Sequence, residues 1–430
     1  MSQPILVHID LDGETRFVGR LWTRSSSRGE SASFEYDKVW LGFPGRFALE
    51  PALTLSEGAF YTQQDRAIFG AFGDSAPDRW GRMLMRRAAK RFDQTKNRAS
   101  RTLQEVDYLL LVDDETRQGA LRFSYEPGGP FLTSYSKSHI PPLIRLPRLL
   151  DAVENVLGDE ESDECLRLLL APGSSLGGAR PKAAVRDKGD LLAIAKFPRK
   201  DDDTDSVAWE AVALDLAEKA GILVPERRVE AVAGEKVIIL RRFDRRNAFR
   251  VPYLSAMSMI GARDNETHSY LEIADALRRY GAQAALDLTE LWRRMVFTIL
   301  ISNVDDHLRN HGFLCSNPAG WVLSPVFDLN PTPTDIHPRI LSTSIDYEER
   351  SASLELAFSV AGYFGLSAVE AVSIAHEVGV SVSRWRNVAR AFGISRTEVE
   401  RMATAFEHTD LEKAISGSRH HGSIGTSPQD

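Results

Sequence analysis

The chain has 430 residues, of which 43% are hydrophobic and 26% charged, and its formal net charge is −7 at pH 7. These proportions are typical of a globular enzyme of two or three domains, and the acidic balance argues against a chain that coats nucleic acid by itself. Two cysteines, Cys165 and Cys315, exclude a disulfide framework. No apolar run reaches membrane-spanning length and the start lacks a signal-peptide pattern, so we expect a cytoplasmic protein.

The first 125 residues are predicted to form an N-terminal subdomain of a small sheet and helices. Three stretches, 5–11, 15–21 and 32–36, alternate like strands, and helical patterns run from about 64 to 112. Segment 79–101 contains nine Lys/Arg and one Asp. We interpret it as a solvated helix face, with an auxiliary contact to DNA or a partner as the alternative.

A turn-rich linker, 126–147, is predicted to lead into a segment, 148–246, with the features of a kinase small lobe. Residues 173–182 read Gly-Ser-Ser-Leu-Gly-Gly-Ala-Arg-Pro-Lys. Because glycine lacks a Cβ and permits positive φ, the backbone N–H groups of this loop can approach phosphate oxygens. Lys182 and Arg180 are equally compatible with solvated loop charges.

Strands at 183–185 and 191–197 are predicted to follow, and the second ends near Lys196. A lysine between two apolar residues is costly unless it is paired, which favours a functional role. A helix over 209–217 contains Glu210, which can pair with Lys196. A further strand, 236–240, runs into Arg241 and its neighbours, where a hinge between lobes is expected.

A catalytic loop is predicted after the best amphipathic helix of the chain, Ala285–Ser302. Asp305 precedes Asn310 by five residues, and Asp328 follows 18 residues after Asn310. This layout is typical of phosphoryl transfer, in which one Asp accepts the hydroxyl proton while an Asn and a later Asp hold Mg²⁺ against the phosphates of ATP.

Neighbouring residues have plainer interpretations. Asp306 is expected to cap or hydrogen-bond the loop, and His307 to brace it. Asp328 follows apolar residues, so its carboxylate needs a partner, either Mg²⁺ or an arginine. Residues 247–414 are predicted to form a helical large lobe, in which the pattern from 255 onward is almost entirely helical apart from the catalytic loop and the loop around Asp328. Residues 415–430 are predicted to be a disordered tail.

Taken in order, these features resemble the HipA family of toxin-type serine/threonine kinases, from about residue 15 to about residue 410. The matching residues are Phe72–Gly81, Gly178-Ala179-Arg180-Pro181-Lys182, Arg242-Phe243-Asp244-Arg245, Ser269–Asp275, Asn303-x-Asp305-x-His307-x-x-Asn310 and Phe327-Asp328-Leu329. Ordinary protein kinases have His-Arg before the catalytic Asp, whereas this chain has Asn303-Val304, so their substrate rules do not transfer.

The resemblance implies an α+β, protein-kinase-like (HipA-like) two-lobed fold that uses ATP and Mg²⁺. It implies Asp305 as the catalytic base, Asn310 and Asp328 as metal ligands, and an autophosphorylated serine at Ser175 (or Ser174). The implied nucleotide-binding residues are Gly177, Gly178, Ala179, Lys182, Lys196, Glu210, Arg241 and Phe243. The implied partners are a helix-turn-helix antitoxin of HipB type, operator DNA through that complex, and a protein substrate for which an aminoacyl-tRNA synthetase is one candidate.

Two other functions remain open from the sequence. One is a non-toxic kinase of a small molecule or lipid head group. The other is a nucleotide-binding partner that acts mainly in transcriptional repression. Measured ATP turnover separates the kinases from the silent partner, and Ser174 and Ser175 are equally compatible with simple turn residues.

Overall fold

The computed structural model describes residues 3–27, 29–63, 65–99, 101–132, 140–173, 178–247, 249–264, 266–315 and 319–417. The chain divides into two compact units. Unit 1 comprises Met1–Asp203, Pro225–Arg263 and Gly312–Ser324, and unit 2 comprises Thr204–Val224, Asp264–His311 and Pro325–Asp430. Within the described ranges, every helix is too short or too polar to cross a bilayer.

Unit 1 contains all of the described strands. They are β1 Ile5–Leu11, β2 Glu14–Ser26, β3 Gly29–Tyr36, β4 Ala59–Tyr61, β5 Leu121–Ser124, β6 Lys182–Arg186, β7 Leu192–Lys196, β8 Arg227–Val232, β9 Glu235–Arg241, β10 Arg245–Arg246, β11 Phe249–Arg250, β12 Tyr253–Ser255, β13 Gly312–Cys315 and β14 Trp321–Leu323.

The described helices are divided between the units. Those of unit 1 are α1 Lys38–Gly42, α2 Gly70–Gly73, α3 Arg79–Thr95, α4 Glu105–Leu111, α5 Leu146–Leu157, α6 Asp163–Gly173 and α8 Ala256–Ile260. Those of unit 2 are α7 Ser206–Lys219, α9 Tyr270–Tyr280, α10 Ala284–Leu300, α11 Leu354–Val360, α12 Ala368–Val382, α13 Trp385–Ala391, α14 Arg396–Arg401, α15 Ala403–Phe406 and α16 Thr409–Ser416. Short 3₁₀ turns cover Leu143–Arg145, Lys188–Asp190, Leu308–Asn310 and Ala361–Phe364.

The N-terminal sheet follows from alternating apolar residues. Its strand order is β4-β3-β2-β1-β5, and β1 and β2 form an antiparallel hairpin closed by the pair Leu11↔Glu14. The predicted strands at 5–11, 15–21 and 32–36 are present. Strand β5 pairs with β1 (Leu6↔Ser124) across more than a hundred residues of sequence, a contact that local periodicity does not reveal.

A second sheet has the order β6-β7-β9-β8 and holds the predicted phosphate-loop lysines. Lys182 and Lys196 are direct antiparallel partners on β6 and β7. The sheet packs against α3, α5 and α6 through one apolar core, because these helices each bury a stripe of large side chains. That core includes Trp80, Leu84, Val153, Leu169, Val185 and Ile239.

The prediction that residues after 255 are almost entirely helical is wrong at one place. Strands β13 and β14 pair with each other, and β13 also pairs with β12, as in Leu254↔Phe313. Both strands are only a few residues long, and β12 lies far back in the sequence. A short apolar run does not distinguish a strand from a helix, so the sequence pattern does not predict these two strands.

In unit 2, helix α7 is held by the C-terminal helices. Trp209 of α7 lies with Trp385 and Phe406, whose rings stack at 4.6 Å between centroids. The Trp209 indole N–H donates to Glu398 at 2.9 Å, and the hydroxyl of Ser381 donates to the carbonyl of Leu216 at 2.7 Å. The sequence had placed α7 in the segment 148–246, whereas its contacts group it with unit 2.

Candidate active site

The predicted catalytic loop begins where the buried helix α10 ends. Ser302 adopts a left-handed backbone conformation (φ 52°), which turns the chain sharply out of the helix. Its hydroxyl donates to the carbonyl of Ala405 at 2.8 Å, and the N–H of Asn303 donates to the carbonyl of Thr298 at 3.0 Å. Ser302 and Asn303 are fully buried, so the loop has a fixed starting point.

Asp305 and Asn310 occupy one compact turn. Asp305 is exposed, whereas Asn310 is buried. The carbonyl oxygen of Asp305 accepts two hydrogen bonds, from the N–H of His307 at 2.9 Å and from the Asn310 side-chain Nδ2 at 3.2 Å. The chain therefore folds back on itself between Asp305 and Asn310, so that the candidate base and the candidate amide ligand lie in one turn.

His307 braces this turn through its backbone rather than its ring. Its N–H donates to Asp305, and its carbonyl accepts from the N–H of Asn310 at 2.8 Å. Its ring Nδ1 is buried and has no hydrogen-bond partner among the described residues.

Asp306 is buried, unlike its exposed neighbour Asp305. Its Oδ2 accepts a hydrogen bond from the Tyr270 hydroxyl and lies 3.2 Å from His311 Nε2, and its carbonyl accepts from the Thr343 hydroxyl at 2.6 Å. Burial acts to raise the pKa of Asp306, but His311 and the donated hydrogen bonds outweigh it, and the net pKa is lowered. Asp306 therefore anchors the loop, as one of the sequence interpretations held.

Asp328 lies in a second loop that is tied to the first. Its backbone is left-handed (φ 60°), a conformation uncommon for a residue with a Cβ, and its side chain is half-buried rather than deeply buried. The N–H of Asn330 donates to Asn303 Oδ1 at 3.1 Å, and the N–H of Thr332 donates to the carbonyl of Ser302 at 3.2 Å. These two bonds hold the segment after Asp328 against the start of the catalytic loop.

The chemistry of these side chains suits a hard cation. The Nδ2 of Asn310 faces the carbonyl of Asp305, which leaves the amide oxygen directed away from it. An amide oxygen and the Asp328 carboxylate are ligands of the kind that Mg²⁺ prefers, with water and phosphate filling its other positions. Among the described residues no three His, Cys, Asp or Glu side chains gather around one point, so a closed all-protein cage is not built there.

Two charged residues predicted to bind nucleotide are buried in the β6–β7 sheet of unit 1. Lys182 is only 3% exposed, which excludes the alternative of a solvated loop charge. Its ammonium pairs with Asp78 at 2.7 Å, and its carbonyl accepts from the Trp80 indole at 3.0 Å. Asp78 also caps helix α3 by accepting from the N–H of Gly81 at 2.7 Å. Lys196, the β7 partner of Lys182, is 8% exposed.

The phosphate loop is described only in part. Gly178 has φ 112°, which a residue with a Cβ rarely adopts, and Ala179 is exposed. Gly177, Ser174 and Ser175 lie outside the described residues. Glu210 is buried on α7 of unit 2, and its pairing with Lys196 of unit 1 stays a prediction.

The segment after β9 was predicted to be a hinge with Arg241 and Phe243 at the nucleotide. Arg241 pairs with Glu226 at 2.8 Å, and the Phe243 ring lies 6.3 Å from that of Tyr253. Both side chains are partly exposed, and their role toward nucleotide stays a prediction.

Sequence reasoning missed a buried arginine cluster beside them. Arg242 and Arg245 both contact Asp244, and their guanidinium groups donate to carbonyls of the loop 115–119, including that of Arg117 at 3.2 and 2.7 Å. The two arginines, acting against burial, hold the pKa of the Asp244 carboxyl far below its usual range. The alternation of Arg and Asp was the available signal, since buried charges require partners.

Part of the basic segment 79–101 pairs with acidic residues of its own unit. Arg82 is bound by both oxygens of Glu105 at 2.5 and 2.7 Å, and Arg87 contacts Glu161 at 2.9 Å. Arg101 pairs with an acidic residue of α4 at 2.8 Å. These pairs are compatible with the interpretation as a solvated helix face, and the contact to DNA or a partner stays an open alternative.

Comparisons with known proteins agree with this architecture. The model for the HipA-like C-terminal domain matches residues 174–411, and the model for the HipA N-terminal domain matches residues 9–108. A Haemophilus influenzae protein named "Putative kinase" is 26% identical over 169 residues, which is 35% of this chain and 49% of that protein. The chain therefore spans about half the length of this curated relative.

Two solved structures are similar to this chain. HipA of Shewanella oneidensis MR-1, from a toxin–antitoxin complex with HipB and operator DNA, matches with a TM-score of 0.64 and 15% identity over 96% of both chains. The Helicobacter pylori proinflammatory kinase CtkA matches with a TM-score of 0.44 and 17% identity, over 57% of this chain and 91% of that one. The α+β, HipA-like fold predicted from the sequence is confirmed by the first of these matches.

Proposed function

The chain belongs to the HipA family, and from this premise we propose that it is an ATP- and Mg²⁺-dependent serine/threonine protein kinase that acts as the toxin of a toxin–antitoxin pair. One observation carries the proposal. Asp305 and Asn310 share a single turn, and the bond from Asn330 to Asn303 ties the segment of Asp328 to that turn. The residues that we assign as base, amide ligand and carboxylate ligand therefore lie on two linked loops of unit 2.

Asp305 is the residue we assign as general base. Its carboxylate is exposed, so the hydroxyl of another protein has access to it. It accepts the proton of that hydroxyl as the oxygen attacks the γ-phosphate of ATP. We assign Asn310 and Asp328 as the ligands of Mg²⁺, which when bound offsets the negative charge of the phosphates.

We assign nucleotide binding to individual residues on the basis of their chemistry. Gly177, Gly178 and Ala179 offer backbone N–H groups to phosphate oxygens. Lys196 offers an ammonium at the end of a buried strand, and Glu210 is assigned to orient it. We also assign Lys182, Arg241 and Phe243 to nucleotide binding. To bind nucleotide, their side chains would have to give up or share the contacts that they make within unit 1.

The partners we propose are a helix-turn-helix antitoxin of HipB type and, through it, operator DNA. The Shewanella oneidensis HipA structure contains both, and its fold is shared over almost the whole chain. The substrate is proposed to be a cytoplasmic protein, with an aminoacyl-tRNA synthetase as the first candidate.

Phosphoproteomics of a bacterial lysate tests the kinase assignment. Wild-type protein with ATP and Mg²⁺ should add phosphate to serine or threonine of a small set of proteins, and Asp305→Ala should add none. Glu355→Ala removes an exposed carboxylate of the same unit, which pairs only with Lys413 among the ion pairs described, and should behave as wild type. Equal labelling by Asp305→Ala and wild type would exclude Asp305 as the base. Labelling of small molecules or lipids alone would favour the non-protein kinase.

A further inference from the structure

Tyr270 touches the catalytic loop without belonging to it. It is the first residue of helix α9, and its fully buried hydroxyl donates to Asp306 Oδ2. Its ring also lies edge-to-face against His311, with centroids 5.4 Å apart. Asp306 and His311 flank the residues assigned to metal and base, since one follows Asp305 and the other follows Asn310.

The backbone of Tyr270 is itself fixed. Its N–H donates to the carbonyl of Ser344 at 2.9 Å. The residue before it, Ser269, caps helix α9 in a reciprocal arrangement with Glu272, whose carboxylate accepts from the Ser269 N–H at 2.7 Å. The phenol oxygen of Tyr270 is therefore held in place by the capped N-terminus of helix α9, and it can fix the position of the loop residue that it contacts.

Asp306 links Tyr270 to the catalytic loop, because both its side chain and its backbone carbonyl are hydrogen-bonded. Its Oδ2 accepts from the Tyr270 hydroxyl and lies 3.2 Å from His311 Nε2, and its carbonyl accepts from the Thr343 hydroxyl at 2.6 Å. A carboxylate that is only 5% exposed cannot exchange these donors for bulk water at low cost. Removing one donor therefore favours a shift of the backbone around Asp306, and Asp305 is the adjacent residue.

We propose that Tyr270 is a positioning residue for phosphoryl transfer, which through Asp306 fixes the turn that presents Asp305 and Asn310. The expected effect on catalysis rests on the proposed kinase function, whereas the positioning itself rests on the contacts within unit 2. Because Tyr270 is fully buried and its hydroxyl is bonded to Asp306, we assign it to setting geometry and not to the chemistry itself.

Kinetics of Tyr270→Phe test the proposal, because this change removes one hydroxyl and keeps the ring. We expect kcat to fall about tenfold or more, since small displacements of catalytic groups are expensive. The Mg²⁺ concentration at half-maximal rate should rise several-fold, because Asn310 is displaced with the turn. The matched control is Tyr280→Phe, the same change at the last residue of the same helix, which should leave both quantities unchanged.

A purely structural role for the hydroxyl would lower the thermal midpoint and leave the metal dependence of the folded enzyme intact. Wild-type kcat and metal dependence in Tyr270→Phe would therefore overturn the proposal. If Tyr270→Phe does not fold, Thr343→Val removes the other side of the anchor and should shift the same two quantities in the same direction. An unchanged metal dependence in Thr343→Val would then count against the proposal.

Amide hydrogen exchange separates this inference from the kinase assignment. The N–H groups of His307 and Asn310 are bonded within the turn, and they should exchange faster in Tyr270→Phe than in Tyr280→Phe whether or not the protein turns over ATP. Exchange that is unchanged in Tyr270→Phe would overturn the positioning role. Faster exchange in Tyr270→Phe, together with a lack of ATP turnover by the wild-type protein, would retain the anchor and reject the kinase.

Discussion

The side chain of Asn303 accepts a hydrogen bond from the backbone N–H of Asn330, with 3.1 Å between Oδ1 and N. Asn303 is fully buried, and Asp328 lies two residues before Asn330. The Nδ2 of Asn330 also donates back to the carbonyl of Asp328 at 3.1 Å. One buried amide thus links the start of the catalytic loop to the segment of the second candidate metal ligand, although 27 residues separate them in sequence.

Asp328→Asn should keep the fold and reduce Mg²⁺-dependent ATP turnover by about a hundredfold or more, because it removes the charge that balances the metal in the transition state. Steady-state kinetics with Mg²⁺ and with Mn²⁺, together with a thermal melt, measure both effects. Asp335→Asn, an exposed acidic residue of unit 2 that contacts Arg401 at 3.3 Å, is the control and should retain activity. Full turnover in Asp328→Asn would remove Asp328 from the site.

Lys182→Met should destabilise unit 1, since it removes the ammonium group that pairs with the buried carboxylate of Asp78. Breaking a buried pair from one side costs about 3–5 kcal/mol of unfolding free energy. Chemical denaturation measures this loss, and Lys188→Met, at an exposed turn next to the same sheet, should show almost none. A variant of normal stability with a strongly raised KM for ATP would instead assign Lys182 to the nucleotide.

The local parts of this structure were predictable from sequence, and the non-local parts were not. Helix α10 and the strands β6, β7 and β9 follow from periodicity and turn residues, and the observed bounds differ by a few residues at most. The pairing of β13 with β12 depends on residues far apart in the chain. Short segments that pair at such distance show no periodicity of their own.

The candidate site divides in the same way. The types and spacing of Asp305, Asn310 and Asp328 predict a metal-assisted phosphoryl-transfer site only together with the glycine loop, the lysine and the glutamate upstream, and that site stays a prediction. The anchors were only partly visible: Asp306 was expected to hydrogen-bond the loop, but its partner Tyr270 lies 36 residues away. Buried contacts of this kind depend on how helix α9 packs in the folded protein, and the spacing of residues within the catalytic loop does not predict that packing.

Expression of the protein alone should slow bacterial growth, because unchecked phosphorylation of an essential protein would stop its function. Asp305→Ala should relieve the arrest, and so should co-expression of a helix-turn-helix protein encoded beside it. Growth curves and viable counts after induction measure these effects. Equal arrest by wild type and Asp305→Ala would contradict a kinase toxin, and arrest by neither would favour the non-toxic kinase or the repressor partner.

Autophosphorylation at Ser175, or at Ser174 beside it, should switch the kinase off. A phosphate would add about −1.5 to −2 charges at pH 7 next to the loop assigned to the nucleotide phosphates. It would repel those phosphates and compete for the same backbone N–H groups, so ATP should bind more weakly. Mass spectrometry after incubation with ATP should find phosphate within 173–176 of wild type and not of Asp305→Ala.

Two substitutions of Ser175 distinguish the effect of an added negative charge on ATP binding from the effect of a changed side-chain shape. Ser175→Asp should weaken ATP binding in calorimetry, whereas Ser175→Asn, which has nearly the same shape without the charge, should bind ATP much as wild type does. Equal weakening by both would point to steric disruption of the loop rather than to repulsion. If the segment stays unmodified in a fully active enzyme, regulation by this route is excluded, while the assignment of Asp305, Asn310 and Asp328 is unaffected because it depends on other contacts.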